Sequence, residues 1–145
     1  MITSNASRLA ESWERRARQL EPVMQKATTE ATAVMYAESR KQLKELIYDK
    51  PVPKCPKSKK PEWKRTGNLR RSERKRVASP FLGIVYNDAS YAAERHEAGK
   101  PGHRRVRYVA HWRDDAAKIA RPKIRKIYRD ALRRAVQSGI IAGLR

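Results

Sequence analysis

The sequence WKRTGNLRRSERKRVASPFLGIVYNDASYAAERHEAG, residues 63–99, contains a strand–turn–strand pattern near the middle of the chain. Its run Gly83–Asn87 is rich in β-branched and aromatic residues, which fit a pleated, half-buried strand. An earlier run ends at Ser79, and Pro80–Gly83 has the composition of a turn. The pattern therefore predicts a β-hairpin whose first strand starts near Leu69.

A long amphipathic helix is predicted before the hairpin, because apolar residues recur there at steps of three and four. These residues are Leu9, Trp13, Leu20, Met24, Ala27, Ala31, Met35, Leu43, Leu46 and Ile47. A proline inside a helix removes one backbone hydrogen bond, so we predict a short helix to about Leu20, a break or kink at Glu21-Pro22 and a long helix from Pro22 to Tyr48. The apolar stripe is expected to form core, and a seam against a neighbouring subunit is the alternative.

A last helix is predicted near the C-terminus. Asp114 and Asp115 suit its positively polarised start, Pro122 places the beginning of its regular part near Arg121, and Gly139 ends it. Its apolar stripe contains Ile124, Ile127, Tyr128, Ala131, Ala135 and Val136.

Together these patterns predict one α+β domain over residues 1–145, in which a long N-terminal helix and a C-terminal helix pack on a small antiparallel β-sheet with long basic loops. Residues 1–21 form an N-terminal helical segment of this domain. A possible third strand contains Val106, Tyr108 and Val109. The tail 139–145 is apolar and is either a frayed end or a peptide that docks on a neighbour; its apolar residues include Ile140, Ile141 and Leu144.

Charge divides the chain unevenly. The net charge is +20, but residues 1–50 hold nine basic and seven acidic residues, whereas residues 51–145 hold 26 and eight. So basic a surface is expected to face phosphate or an acidic protein. Only 39% of the residues are hydrophobic, so the core is expected to be thin and to gain from a partner's surface.

Two basic loops are predicted to reach beyond their own subunit, because proline, glycine and charge prevent either from burying enough apolar surface. The first covers 50–65 and offers Lys54, Lys57, Lys59, Lys60, Trp63 and Arg65. The second covers 100–113 and offers Arg104, Arg105, Arg107, Trp112 and Arg113. Each tryptophan is expected to anchor an intermolecular contact, and a solvated linker is the alternative for 50–65.

The order of several short motifs resembles the tail-completion, or head–tail joining, family of tailed bacteriophages, over about residues 22–137. The motifs are Thr66-Gly67, Leu69, Ser72, Val85-Tyr86-Asn87, Tyr91-Ala92, His96-Glu97, Gly99 and Arg121-Pro122. In that family a small antiparallel sheet packs against an N-terminal and a C-terminal helix. The resemblance implies that Gly67 and Leu69 start the first strand, while Tyr91 and Glu97–Gly99 close the sheet unit. The two basic loops depart from the family pattern.

The resemblance also implies a structural role. Subunits of that family form a ring, usually taken to be a hexamer, at the virion neck, where it completes the tail and joins it to the head. The implied partners are other copies of the chain, the head connector or stopper, the tail tube or tail terminator, and genomic DNA that passes through the lumen. Assembly would take place in the host cytoplasm, and no membrane partner is expected.

Catalysis is not expected from these residues. His96 and His103 stand seven positions apart across proline and glycine, without the helical spacing of a zinc pair, and Cys55 has no fixed base beside it. His111 and Glu97 complete no recognisable metal or acid–base set, so no cofactor or metal is predicted. The single cysteine fits a reducing compartment.

A nucleic-acid-binding protein is the alternative to the structural role. The charge of +20, with Trp63 and Trp112 among arginines, is typical of phosphate contact and stacking.

Overall fold

A computed structural model describes residues 2–51, 67–92 and 111–141, with side chains from residue 6 onward. Helix α1 spans Ile2–Leu43 and continues as a π-helical segment, Lys44–Tyr48. A short helix α2, Asn68–Arg71, precedes strands β1, Glu73–Ser79, and β2, Leu82–Asn87. Helix α3 spans Trp112–Gln137. The α+β prediction is confirmed: two long helices accompany a small antiparallel sheet.

Both helix-breaking predictions are wrong. Helix α1 runs through Pro22 and α3 runs through Pro122, so α3 begins about nine residues before its predicted regular start. Each proline removes the bond to the carbonyl four residues earlier, on Arg18 and Lys118 respectively. All four residues are exposed, so water can hydrate these carbonyls, and each helix continues past its proline.

Helix α2 replaces the predicted start of the first strand. Gly67 has a φ of +72° and precedes the helix, which agrees with a sharp turn that glycine makes without strain. The amide of Arg71 then donates to the Gly67 carbonyl at 3.0 Å, and Leu69 is buried. Leu69 therefore points into the core from a helical turn, and β1 begins only at Glu73.

Strands β1 and β2 form a two-stranded antiparallel hairpin, as predicted. Glu73 pairs with Asn87 at the open end, and Ser79 pairs with Leu82 beside the turn, with a register shift between Val77 and Ser79. The predicted third strand at 106–109 lies outside the described residues.

The hairpin packs against α1 at very short range. A β-carbon on Gly83 would lie 1.8 Å from Oγ1 of Thr32 and 3.0 Å from its Cβ, so only glycine fits this approach. Thr28 Oγ1 donates a hydrogen bond to the Pro80 carbonyl at 2.5 Å and lies 2.9 Å from the Tyr128 hydroxyl. Since a carbonyl only accepts, Tyr128 is the donor to Thr28, and the pair connects the hairpin turn, α1 and α3.

Helices α1 and α3 are antiparallel, because Thr28 meets Tyr128 while Glu38 meets Lys123. Their interface is made largely of small residues, consistent with a thin core; the buried alanines are Ala27, Ala31, Ala116, Ala120, Ala131 and Ala135. A second cluster lies at the other end of the domain and contains Leu43, Leu69, Ala89, Ala92 and Trp112.

The predicted apolar stripe of α1 is core over only part of its length. Leu43 is fully buried and Met24, Ala27 and Ala31 are buried, as expected. Leu9 and Trp13, however, are 60% and 62% exposed. The prediction that the whole stripe forms core is therefore wrong for this subunit, because Leu9 and Trp13 stay exposed.

Candidate functional site

Most of the predicted partner-binding residues fall outside the described part of the chain. They are Lys54, Lys57, Lys59, Lys60, Trp63, Arg65, Arg104, Arg105, Arg107 and Leu144. The structural motif residues Thr66, Glu97 and Gly99 also lie outside the described residues. The structure does place Gly67, Leu69, Ser72, Tyr91, Ala92, Trp112, Arg113, Ile140 and Ile141.

The prediction that Trp112 anchors a contact outside its own subunit is wrong. Trp112 is the first residue of α3 and is 0% exposed, packed in the cluster with Leu43 and Leu69. The guanidinium of Arg113 lies 5.6 Å from the centroid of the indole ring. Trp112 therefore anchors the N-terminal end of α3 to α1 and is inaccessible to a partner.

Arg113 contributes to a buried polar junction centred on Glu73, whose side chain is 0% exposed. Ser39 Oγ donates to Glu73 Oε1 at 2.5 Å, and Asn87 Nδ2 donates to Oε2 at 2.6 Å. Nη2 of Arg113 lies 3.7 Å from Oε2. This carboxylate joins α1, both strands and α3, so its role is structural.

The Glu73 junction was missed from the sequence. A charged residue in a basic, strand-forming run gives no signal that it points inward. Only the strand register, in which Glu73 faces Asn87, brings these donors together.

The remaining described motif residues are structural as well. Tyr91 is half-buried against the Leu43–Trp112 cluster, and Ala92 is buried. Ser72 follows α2 and its carbonyl accepts from the Asp88 amide at 3.0 Å, which extends the hairpin.

The described part of the C-terminal tail turns back on α3. Gly139 has a φ of +75° and ends the helix as predicted. The amides of Ile140 and Gly139 donate to the carbonyls of Ala135 and Val136 at 2.9 and 3.0 Å, which is the Schellman arrangement. Ile140 and Ile141 are half-buried, so at these positions the chain is held and not frayed.

A continuous basic face runs along the solvent side of α3, and we define it by six residues. They are Lys118, Arg121, Arg125, Lys126, Arg129 and Arg133, which line a shallow groove together with Pro122 and Asp130. At 3.6 residues per turn the six cations cover about 140° of the helix surface over about 22 Å. The alanines buried against α1 lie on the opposite side.

The charges of the basic face are largely uncompensated within the described ranges. Lys118 pairs with Asp115 at 3.3 Å, and Lys123, beside the face, pairs with Glu38 at 2.5 Å. The other five cations of the face form no ion pair with a described residue. The partner-binding charges were predicted in the loops and this face was not, although its i, i+4 spacing was a usable signal.

The first five turns of α1 form a second accessible surface, which we call the arm, residues 2–21. Among the described side chains of residues 6–20 none is buried. Leu9 and Trp13 lie one turn apart on one side of the helix, and Arg16 lies 5.8 Å from the centroid of the Trp13 ring. At 1.5 Å per residue the arm is about 30 Å long.

The described residues offer no group of three or more His, Cys, Asp or Glu side chains that could hold a metal ion. His111 lies 3.9 Å from Asp114, while Cys55, His96 and His103 are outside the described residues. No described helix is both long and apolar enough to cross a membrane.

Comparison with known proteins adds no relative: no protein-family model, no curated protein and no solved structure matches this chain.

Proposed function

We propose that the chain is a structural, non-enzymatic subunit of a ring at the neck of a tailed bacteriophage, where it completes the tail and joins it to the head connector. The observation that carries this proposal is the arm of α1, an exposed helix with Leu9 and Trp13 uncovered. The α+β fold and the order of the sequence motifs are consistent with it.

The arm needs a partner for physical reasons. The arm continues a helix that its packed half already nucleates, but most helical stability in proteins comes from packing an apolar face, and Leu9 and Trp13 lack that packing. Full burial of a large apolar side chain contributes about 1.5–3 kcal/mol. Packing Leu9 and Trp13 on another subunit would therefore both order the arm and drive association.

A ring follows if each subunit gives its arm to one neighbour and receives an arm from the other. Such a head-to-tail interface closes when the rotation between subunits is a whole fraction of a turn. In the proposed assembly one rim meets the connector or stopper, the other meets the tail tube or terminator, and genomic DNA passes through the lumen. The proposed location is the virion, after synthesis in the host cytoplasm.

The test is the mass of the purified protein in solution, at physiological and at high salt. Sedimentation should show a closed oligomer for the unmodified chain and a monomer for Leu9→Gln/Trp13→Gln, with unchanged helical circular dichroism. The matched control is Ile119→Gln/Leu132→Gln, which removes two exposed apolar residues of α3, each 42% exposed, and should still assemble.

Loss of assembly in the control as well as in the arm variant would contradict a specific role of the arm. A chain that stays monomeric both alone and with connector and tail proteins would overturn the ring itself. In infected cells, particles made with the arm variant should accumulate as separate filled heads and tails.

A nucleic-acid-binding role is the second candidate function, and the uncompensated basic face of α3 is the specific observation that favours it.

A further inference from the structure

We infer that the basic face of α3 binds the phosphate backbone of duplex DNA without reading its sequence. The inference does not rest on ring formation, since each single subunit carries the whole face. It also moves the nucleic-acid contact away from the tryptophan-containing loops to a helix that lies entirely within the described residues.

The shape of the face suits a rigid linear polyanion. Arg121, Arg125, Arg129 and Arg133 repeat every four residues, which places successive guanidinium groups about 6 Å apart along the helix axis. Duplex DNA presents one negative charge per about 1.7 Å of its axis. This row of arginines is about 18 Å long and winds about 120° around the helix, so it can meet several phosphates at once, and arginine's fork can bind each of them with two hydrogen bonds.

The orientation of the face is fixed by packing. Its opposite side is held against α1 through Ala120 and Ala131, both 0% exposed, and through the hydrogen bond between Tyr128 and Thr28. The cations cannot turn inward, and within the described ranges only Lys118 has an acidic partner. A DNA ligand would thus replace condensed counterions without first breaking several protein ion pairs, which is the favourable situation for phosphate binding.

Composition argues for a duplex over a single strand. Surfaces that bind single strands add aromatic side chains on which bases stack. The structure describes all of residues 118–133, and the only aromatic residue among them is Tyr128. Its hydroxyl contacts Thr28, so Tyr128 points toward α1. The face also lacks the Asn and Gln side chains that read adenine edges. Its contacts are therefore expected to position DNA and not to specify a sequence.

The experiment is a salt titration of binding to a fluorescent duplex of about two helical turns, from about 50 to 200 mM salt. Six phosphate contacts predict a slope of log K against log salt of about −5, equivalent to a loss of roughly 10³-fold in affinity over this range. The variant Arg125→Gln/Arg129→Gln should have a slope closer to −3, because each lost phosphate contact changes the slope by about 1.

The matched control is Arg8→Gln/Arg15→Gln, which removes the same charge from exposed positions of the arm. Glutamine is nearly as good a helix former as arginine, and circular dichroism checks that both variants stay folded. The control should keep the slope of the unmodified chain, and two duplexes of unrelated sequence should bind equally well.

Three outcomes would overturn the inference: no binding at the lowest salt, an equal fall of the slope in both variants, or equally tight binding of a single strand of the same length. This test is independent of the ring proposal, because oligomeric state tests the ring and the salt slope tests DNA binding. The variant Leu9→Gln/Trp13→Gln should become monomeric and still show the salt-dependent DNA binding of each subunit's basic face.

Discussion

Helix α1 contains two halves that have the same apolar periodicity and opposite environments. In residues 24–43, Met24, Ala27, Ala31 and Leu43 are buried, and α1 contacts both strands of the hairpin and α3. In residues 6–20 no described side chain is buried. The spacing of apolar residues along a helix shows that the helix has an apolar face. Whether that face is buried depends on which other elements pack against it.

The difference gives the two halves different roles. The body half, residues 24–43, supplies the hydroxyls of Thr28, Thr32 and Ser39 to tertiary contacts as well as apolar surface. The arm supplies an uncovered apolar pair instead. Stability is therefore expected to reside in the body half, and association in the arm.

The sharpest test of this comparison is a pair of leucine substitutions. Leu43→Ala should lower the free energy of unfolding by about 2–5 kcal/mol, because it leaves a cavity at a fully buried position. Leu9→Ala should change it by less than about 0.5 kcal/mol in the monomer, as expected at an exposed site. Urea unfolding followed by circular dichroism measures both, and equal effects would remove the distinction between the halves.

The next largest effect is expected at the buried carboxylate. Glu73→Gln places an amide NH₂ against donors from Ser39, Asn87 or Arg113, and hydrogen bonds to a charged group contribute about 1.5–3 kcal/mol. A loss of that size in urea unfolding is predicted. The matched control Glu30→Gln, at an exposed position of α1, should be nearly neutral; a neutral Glu73→Gln would show that the junction does not stabilise the fold.

A smaller or comparable loss is expected where the hairpin meets the body half. Gly83→Ala pushes a β-carbon into Thr32, and overpacking of this kind costs about 1–3 kcal/mol. Thr32→Ala should relieve part of that cost, so the two changes should couple in a double-mutant cycle. Strict additivity of the two changes in unfolding free energy would contradict the close approach.

The smallest predicted effect is pH-dependent. A hydrogen bond from Lys123 lowers the pKa of Glu38, and the nearby charges of Lys123 and Lys41 act in the same direction against desolvation. Because the pKa of this carboxyl is lower in the folded state, the pair stabilises the fold at pH values above the ordinary pKa of 4.5. This stability is lost as the pH falls through the lower, folded-state pKa. Because Lys123 is 55% exposed, the pair should contribute only about 0.2–1 kcal/mol.

The measurement for this pair compares Glu38→Gln with the unmodified chain in urea at neutral and at acid pH. The variant should be slightly less stable near neutrality, and the two chains should converge once the carboxyl is protonated in both states. A difference that persists or grows in acid would show that Glu38 acts through packing and not through its charge.

The sequence by itself determined what depends on neighbouring residues. The α+β class followed from two helical periods around the strand-forming run Gly83–Asn87, and the hairpin followed from the turn composition of Pro80–Gly83 between this run and the earlier run that ends at Ser79. Gly139 was identified as the residue that ends the last helix, and it has a positive φ angle. These features are local, since a few adjacent side chains and backbone angles fix them.

Only the tertiary structure decided which apolar and charged groups are covered. Trp112 was expected at a partner and lies in the core, Leu9 and Trp13 were expected in the core and are exposed, and Glu73 is buried within a basic strand. The physical reason is that burial depends on contacts between elements far apart in sequence, as when α3 packs along residues 24–43 of α1. The same packing turned the remaining side of α3 outward and so gathered its cations into one face.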